Sequence, residues 1–200
     1  MEIYLIRHTT PAVAKGICYG QTDLDVTETM QQEADAIAGV LPNNITEVFT
    51  SPLQRCTKLA NYLFPKHTIE LENNLKEIHC GSWEMMAWDA IPEPEITPWM
   101  QEFVHSIIPN GESYTQLFNR VVQAYNAIQQ KSLKPAAIVA HGGVLRSILA
   151  YITNTPLENS FTQFQIYYGC VVRINTLNNS YEILHNIAPS TTETHKPSKY

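Results

Sequence analysis

Glu2-Ile3-Tyr4-Leu5-Ile6-Arg7-His8 is the stretch whose reading decides the fold. The run from Ile3 to Ile6 is apolar, β-branched or aromatic throughout. It reads as a buried strand that stops at a cation and an imidazole. The pattern returns at Ala136-Ala137-Ile138-Val139-Ala140, which runs into His141-Gly142-Gly143. A weaker version spans Ile45 to Thr50 and is followed by Ser51-Pro52. Three strands therefore end in residues capable of chemistry.

The segments between them carry helical spacing. Met30, Ala34, Ile37, Ala38 and Leu41 share one face between Thr27 and Leu41, before Pro42-Asn43-Asn44 breaks the chain. Ser51 as cap and Pro52 in the first turn predict a helix whose apolar side is Leu53, Cys56, Leu59, Ala60 and Leu63, ended by Pro65. A short strand is expected near Thr68–Leu71. After the turn signal Asn110-Gly111, the spacing of Tyr114, Leu117, Phe118, Val121, Val122, Tyr125 and Ile128 predicts an amphipathic helix, and Val144–Ile152 predicts another. Phe164–Tyr168 and Val171–Ile174 read as strands and Tyr181–Ile187 as an edge strand. Strands alternating with helices predict an α/β protein, with a largely parallel sheet covered on both faces. In such sheets ligands bind beyond the carboxyl ends of the strands.

One domain over residues 1–187 and a frayed Thr-, Ser- and Lys-rich tail over 188–200 are expected. Residues 80–112 hold Trp83, Trp88, Trp99 and four prolines, and read as an irregular or short-helical insertion over the site. A hydrophobic fraction of 44% excludes a disordered chain. Nineteen acids against thirteen bases leave a charge of −6, which argues against nucleic acid as a partner. No apolar run reaches the roughly 18 residues of a membrane span, and Met1–Arg7 has no secretory-signal pattern, so a cytoplasmic protein is expected. Cys18, Cys56, Cys80 and Cys170 are scattered without a C-x-x-C pair and read as reduced thiols. The seven histidines show no metal-ligand spacing, and neither metal nor cofactor is expected.

The strand ends form one candidate pocket. Arg7 and Arg55 present planar forks that match phosphate oxygens, and the helix N-terminus beside Gly142 and Gly143 favours an anion. A neutral histidine among them can attack phosphorus, and arginines can supply the charge stabilisation without Mg²⁺.

Leu5-Ile6-Arg7-His8-Thr9, Thr50-Ser51-Pro52-Leu53-Gln54-Arg55-Cys56 and Ala140-His141-Gly142-Gly143 together resemble the histidine phosphatase (phosphoglycerate mutase-like) superfamily, in order from Glu2 to about Ile187. The resemblance implies a three-layer α/β/α sandwich with a mainly parallel sheet and one antiparallel edge strand. It implies that His8 becomes phosphorylated, that Arg7, Arg55, His141 and Gly142 hold phosphate, and that Glu77 in Leu75-Lys76-Glu77 is the acid. Gly16–Asp23, Gly81-Ser82-Trp83-Glu84 and Pro109-Asn110-Gly111-Glu112-Ser113 are similar to the α-ribazole phosphatase branch. That branch implies a small phosphomonoester substrate, with Gln21, Thr22, Trp83 and Glu112 as further contacts, in a monomer or homodimer.

The chain departs from the pattern in three places. Thr9 stands where the family has glycine, Ala14 replaces an asparagine, and Thr29-Met30 occupy the place of a glycine after the Leu-Thr of the first helix. Other readings stay open. Glu84 is close enough to Glu77 to compete as the acid. Glu112 and Ser113 could simply open the helix at Tyr114, or Glu112 could orient an arginine. The tryptophans could be core, and His67, His79, His105, His185 and His195 read as surface or packing residues. A phosphoglycerate mutase usually has a longer span than Glu77 to His141, a broad-specificity phosphatase would share every motif, and a non-catalytic phosphate-binding module would not need His8, Glu77 and His141 together.

Overall fold

The computed structural model describes residues 1–189 and 198. The rest of the expected tail, His195 included, lies outside the described residues. In chain order the elements are β1 (Glu2–Arg7), α1 (Met30–Ala38), β2 (Glu47–Thr50), α2 (Gln54–Leu63), β3 (Ile69–Leu71), α3 (Glu93–Gln101), α4 (Tyr114–Lys131), β4 (Ala136–Ala140), α5 (Gly142–Thr153), α6 (Ser160–Gln163), β5 (Val171–Asn175) and β6 (Ser180–His185).

The strands form one sheet in the order β3-β2-β4-β1-β5-β6. β1 and β2 flank β4, both parallel to it, and β3 extends β2 in the same sense. β5 runs antiparallel to β1 and β6 antiparallel to β5, so the sheet is mostly parallel with its antiparallel pairing gathered at one end. The reversed strand is thus β5, one in from the edge that β6 closes.

Side chains alternate across a strand, and β1 sorts them cleanly. Ile3 and Leu5 pack with Ala136, Ile138 and Ala140 against Leu117, Val121 and Tyr125 of α4 and Leu145, Ile148 and Leu149 of α5. Tyr4 and Ile6 pack on the opposite face with Ala137 and Val139, against Ala34 and Ile37 of α1 and Cys56, Leu59 and Ala60 of α2. Both faces are covered, which is why β1 and β4 are continuous apolar runs rather than alternating ones. The 80–112 segment builds a third apolar cluster from Cys18, Cys80, Trp83, Trp88, Ile91, Ile96 and Ile108. Short 3₁₀ turns at Gly81–Trp83 and Trp88–Ala90 and helix α3 make up its regular structure. Trp99 meets Trp83 edge-on at 5.6 Å and stacks on Trp88 at 6.0 Å. No helix among the described residues is long and apolar enough to cross a membrane.

Two local expectations need correction. Phe164–Tyr168 joins no sheet and ends in a turn, its backbone groups serving side chains instead. Phe164 O accepts from Arg146 Nε at 3.1 Å, Ile166 O from Arg7 Nη1 at 2.6 Å, and Asn186 bridges Gln165 O and Tyr167 N. Ser51-Pro52 does not open α2, which begins at Gln54 with its amide donating 2.7 Å to Asp23 Oδ1 of a distant loop. The Ser51 hydroxyl turns toward His141 instead.

Candidate active site

Sheet register decides which residues meet. Arg7 lies opposite Ala140 and Thr50 opposite Val139, so His8, Ser51 and His141 leave three adjacent strands at one level. The ladder continues one step further: His8 N donates to Ala140 O at 3.0 Å and Ser51 N to Val139 O at 3.0 Å. The His8 and His141 rings meet edge-on with centroids 5.1 Å apart.

His8 is buried, with Nδ1 2.7 Å from Thr9 O. A carbonyl can only accept, so Nδ1 carries the hydrogen and the lone pair of the neutral ring falls on Nε2. Thr9 is not among the residues with positive φ, so the backbone at this position accommodates a Cβ in place of the family glycine. His141 is wholly buried, its Nε2 2.8 Å from Ser51 Oγ. Burial first, then the charges of Arg55, His8 and Arg7, hold its pKa well below the usual imidazole range. The ring is neutral at neutral pH.

Both predicted arginines are buried here. Arg7 lays its guanidinium 3.9 Å over the Tyr168 ring, besides its bond to Ile166 O. Arg55, in the first turn of α2, donates from Nη1 to Thr22 O at 2.9 Å and from Nη2 to Gly20 O at 2.6 Å. The Nε groups of both arginines are buried and meet no acceptor among the described residues. Tyr19, 5.6 Å from the Arg55 guanidinium, joins hydroxyls with Tyr168 at 2.5 Å. Beside this tyrosine pair lies a pocket of about 130 Å³ whose lining includes Thr10, Pro11, Val13, Ala14 and Ile17.

Glu77 arrives from the opposite side. Its Oε2 accepts from Gly143 N at 3.0 Å, in the first turn of α5, and its Oε1 from Ile78 N at 3.0 Å. A Cβ on Gly143 would stand 2.4 Å from Glu77 Oε1, so only glycine leaves room for the carboxylate there. Gly142 lies against both Arg7 and Arg146. Of the two competing acids, Glu77 is the one at this helix terminus.

The other predicted contacts hold the scaffold. Gln21 Nε2 donates to Glu77 O at 3.1 Å. Glu84 accepts from the amides of Gly20, Gln21, Thr22 and Cys80 and from the Thr22 hydroxyl. Burial opposes its charge, but those donors prevail and keep its carboxyl below the usual carboxylate range. Gly20 must be glycine, since a Cβ would fall 1.8 Å from Ile78 O. Trp83 is 1% exposed with Nε1 bonded to Glu95 Oε2 at 2.8 Å, which places it inside the third apolar cluster rather than on an exposed surface. Ser113 caps α4 in a reciprocal capping box with Gln116, while Glu112 pairs with Arg120.

Sequence reasoning missed Arg120, Arg146 and the Tyr19–Tyr168 pair. Arg146 follows Gly142 by four residues on α5, a helical spacing that returns it to the same face. Burial, then the nearby charge of Arg7, brings its pKa down to about 10. Tyr19 and Tyr168 are far apart in the chain and carried no local signal.

A cup that gathers two guanidiniums, two imidazoles and a helix N-terminus beyond parallel strand ends is an anion-binding centre of an α/β protein. The chain belongs to the histidine phosphatase superfamily (branch 1), whose family model matches residues 3–187. It is 34% identical over 164 residues to a metal-independent phosphoserine phosphatase of Arabidopsis thaliana, across 76% of this chain and 68% of that protein. It is 25% identical over 173 residues to a glucosyl-3-phosphoglycerate phosphatase of Mycolicibacterium vanbaalenii, across 79% and 76%. The solved α-ribazole phosphatase of Shigella flexneri shares the fold with a TM-score of 0.83 at 22% identity, covering 99% of this chain and 98% of that one.

Proposed function

We propose that the protein is a phosphomonoesterase working through a phosphohistidine on His8. The observation that carries this reading is the orientation of His8: Nδ1 is committed to Thr9 O, which leaves Nε2 as the nucleophilic atom among Arg7, Arg55 and neutral His141. His8 Nε2 forms a bond to phosphorus as the ester P–O bond breaks, and Glu77 gives its proton to the departing oxygen. Glu77 then takes a proton from water, the water oxygen bonds to phosphorus, and the P–N bond breaks to release inorganic phosphate. The buried Nε groups of Arg7 and Arg55 and the Gly142 amide at the start of α5 are donors for the equatorial oxygens.

For the substrate we favour α-ribazole 5′-phosphate, which would place the reaction in assembly of the cobalamin lower ligand. The stretches Gly16–Asp23, Gly81–Glu84 and Pro109–Ser113 support this, as does a mostly apolar pocket walled by Tyr19 and Tyr168 that suits a flat base. O-Phosphoserine is the second reading, favoured by the Arabidopsis relative. The test compares kcat/KM for α-ribazole 5′-phosphate, O-phosphoserine, and 3-phosphoglycerate supplied with 2,3-bisphosphoglycerate. A preference of at least about tenfold, worth roughly 1.4 kcal/mol of transition-state binding, for α-ribazole 5′-phosphate supports the first reading. The reverse ranking supports the second. Isomerisation of 3-phosphoglycerate without phosphate release would replace both with a mutase, and binding without turnover of any ester would leave a binding module.

A further inference from the structure

Residues 76–80, which carry Glu77, lie in neither helix nor strand, and several of their backbone groups take side-chain partners. Arg120, on α4, serves the carbonyls at and just before Glu77. Its Nη1 donates to Asn74 O and Lys76 O, each at 2.7 Å, and its Nη2 to Glu77 O at 2.9 Å. The guanidinium also grips Glu112 through Nε and Nη2, both at 2.7 Å. Glu112 Oε2 in turn accepts from His79 N at 2.8 Å. The chain is thereby tied on both sides of Glu77, by carbonyls on one side and an amide on the other. The Arg120 and Glu112 side chains are only 18% and 15% exposed, so the pair is held out of bulk water.

We propose that the Arg120–Glu112 pair is a positioning device for the proton of Glu77, setting where its carboxyl stands relative to the ester oxygen that leaves. This rests on Glu77 being the general acid. A planar fork bonded to the acid's own carbonyl restricts its Cα, and Glu77's backbone has no ladder to do the same. Lysine has neither the fork nor enough donors in a fixed plane to replace it. Displacement of about 1 Å in an acid costs on the order of a hundredfold in rate, so the clamp acts on the chemical step even though it touches no substrate.

The test follows single-turnover phosphorylation of His8 by rapid quench in wild type, Arg120→Ala, Arg120→Lys and Glu112→Gln. Three donors are used: p-nitrophenyl phosphate, whose leaving group needs no proton, and the alkyl esters α-ribazole 5′-phosphate and O-phosphoserine, whose leaving groups do. Arg120→Ala is expected to slow the alkyl esters by roughly 10- to 100-fold and p-nitrophenyl phosphate by less than about threefold, with Arg120→Lys between. Should Arg120→Ala fail to fold, the lysine and Glu112→Gln variants carry the same comparison. Equal slowing of all donors, or none, overturns the positioning role while leaving the phosphatase reading intact. A wild-type protein that forms no phosphoenzyme from any of the three overturns the functional reading, and the clamp's role with it.

Discussion

Where His8, Ser51 and His141 stand, the backbone is the continuation of a parallel ladder; where Glu77 stands, it is an irregular segment pinned by side chains. The His8 side inherits its geometry from β1, β2 and β4, whose register is enforced by burial on both faces. The Glu77 side is assembled from Arg120 and Glu112, from Glu84's bonds to residues 20–22 and 80, and from the space that Gly143 leaves. A ladder distributes its load over many bonds. A clamp concentrates it in a few charged groups, so single substitutions should act differently on the two sides.

The largest effect should come from the ladder side through chemistry alone. His8→Ala is expected to lower kcat by at least about 10⁴-fold and to abolish the acid-labile phosphoenzyme. Retained turnover would refute the nucleophile. On the Glu77 side, Gly143→Ala should act without touching His8. The added Cβ would stand 2.4 Å from Glu77 Oε1 and 3.0 Å from Leu117 Cδ2, so the carboxylate is evicted and kcat should fall roughly 10- to 100-fold. Unchanged kcat would show that Glu77 works from elsewhere.

A smaller, mixed effect is expected from Glu84→Gln. It removes a charged acceptor from the amides of Gly20, Gln21, Thr22 and Cys80, at a cost of about 1.5–3 kcal/mol in stability measured by urea unfolding. Because the carbonyls of Gly20 and Thr22 hold Arg55, KM should rise with it. A loss of stability with unaltered KM would uncouple that loop from phosphate binding.

The smallest effect is the ladder side's response to acid. His141 in the folded protein has a lowered pKa, so below about pH 6.5 the unfolded chain takes up a proton that the folded one refuses. The stability this histidine permits is complete above that pH and declines as the pH falls, by at most about 1.4 kcal/mol per pH unit. Unfolding free energies between pH 7 and 5, in phosphate-free buffer, should slope less in His141→Gln than in wild type. Parallel slopes would mean that His141 is not the group responsible.

The expected strands at Ile3–Ile6, Ile45–Thr50 and Ala136–Ala140 and the helices after them could be read directly, because a buried strand or amphipathic helix writes its burial pattern into consecutive residues. Arg7, His8, Arg55 and His141 were legible with them, since each lies within a turn of a readable strand end. Phe164–Tyr168 misled for the same reason: its composition suits a strand, yet its carbonyls are taken by Arg7, Arg146 and Asn186. Ser51-Pro52 carries a helix-start signal, while Asp23, far away in the chain, supplies the cap.

Local pattern therefore determined the α/β architecture and the residues that crown its strands, because propensity and hydrophobic period act over a few positions. Tertiary structure alone decided that Glu77 rather than Glu84 reaches α5, that Arg120 holds the Glu77 backbone, and that Tyr19 meets Tyr168. Those choices are made by hydrogen bonds and close approaches between segments tens of residues apart, and such contacts leave no periodic trace in the chain that forms them.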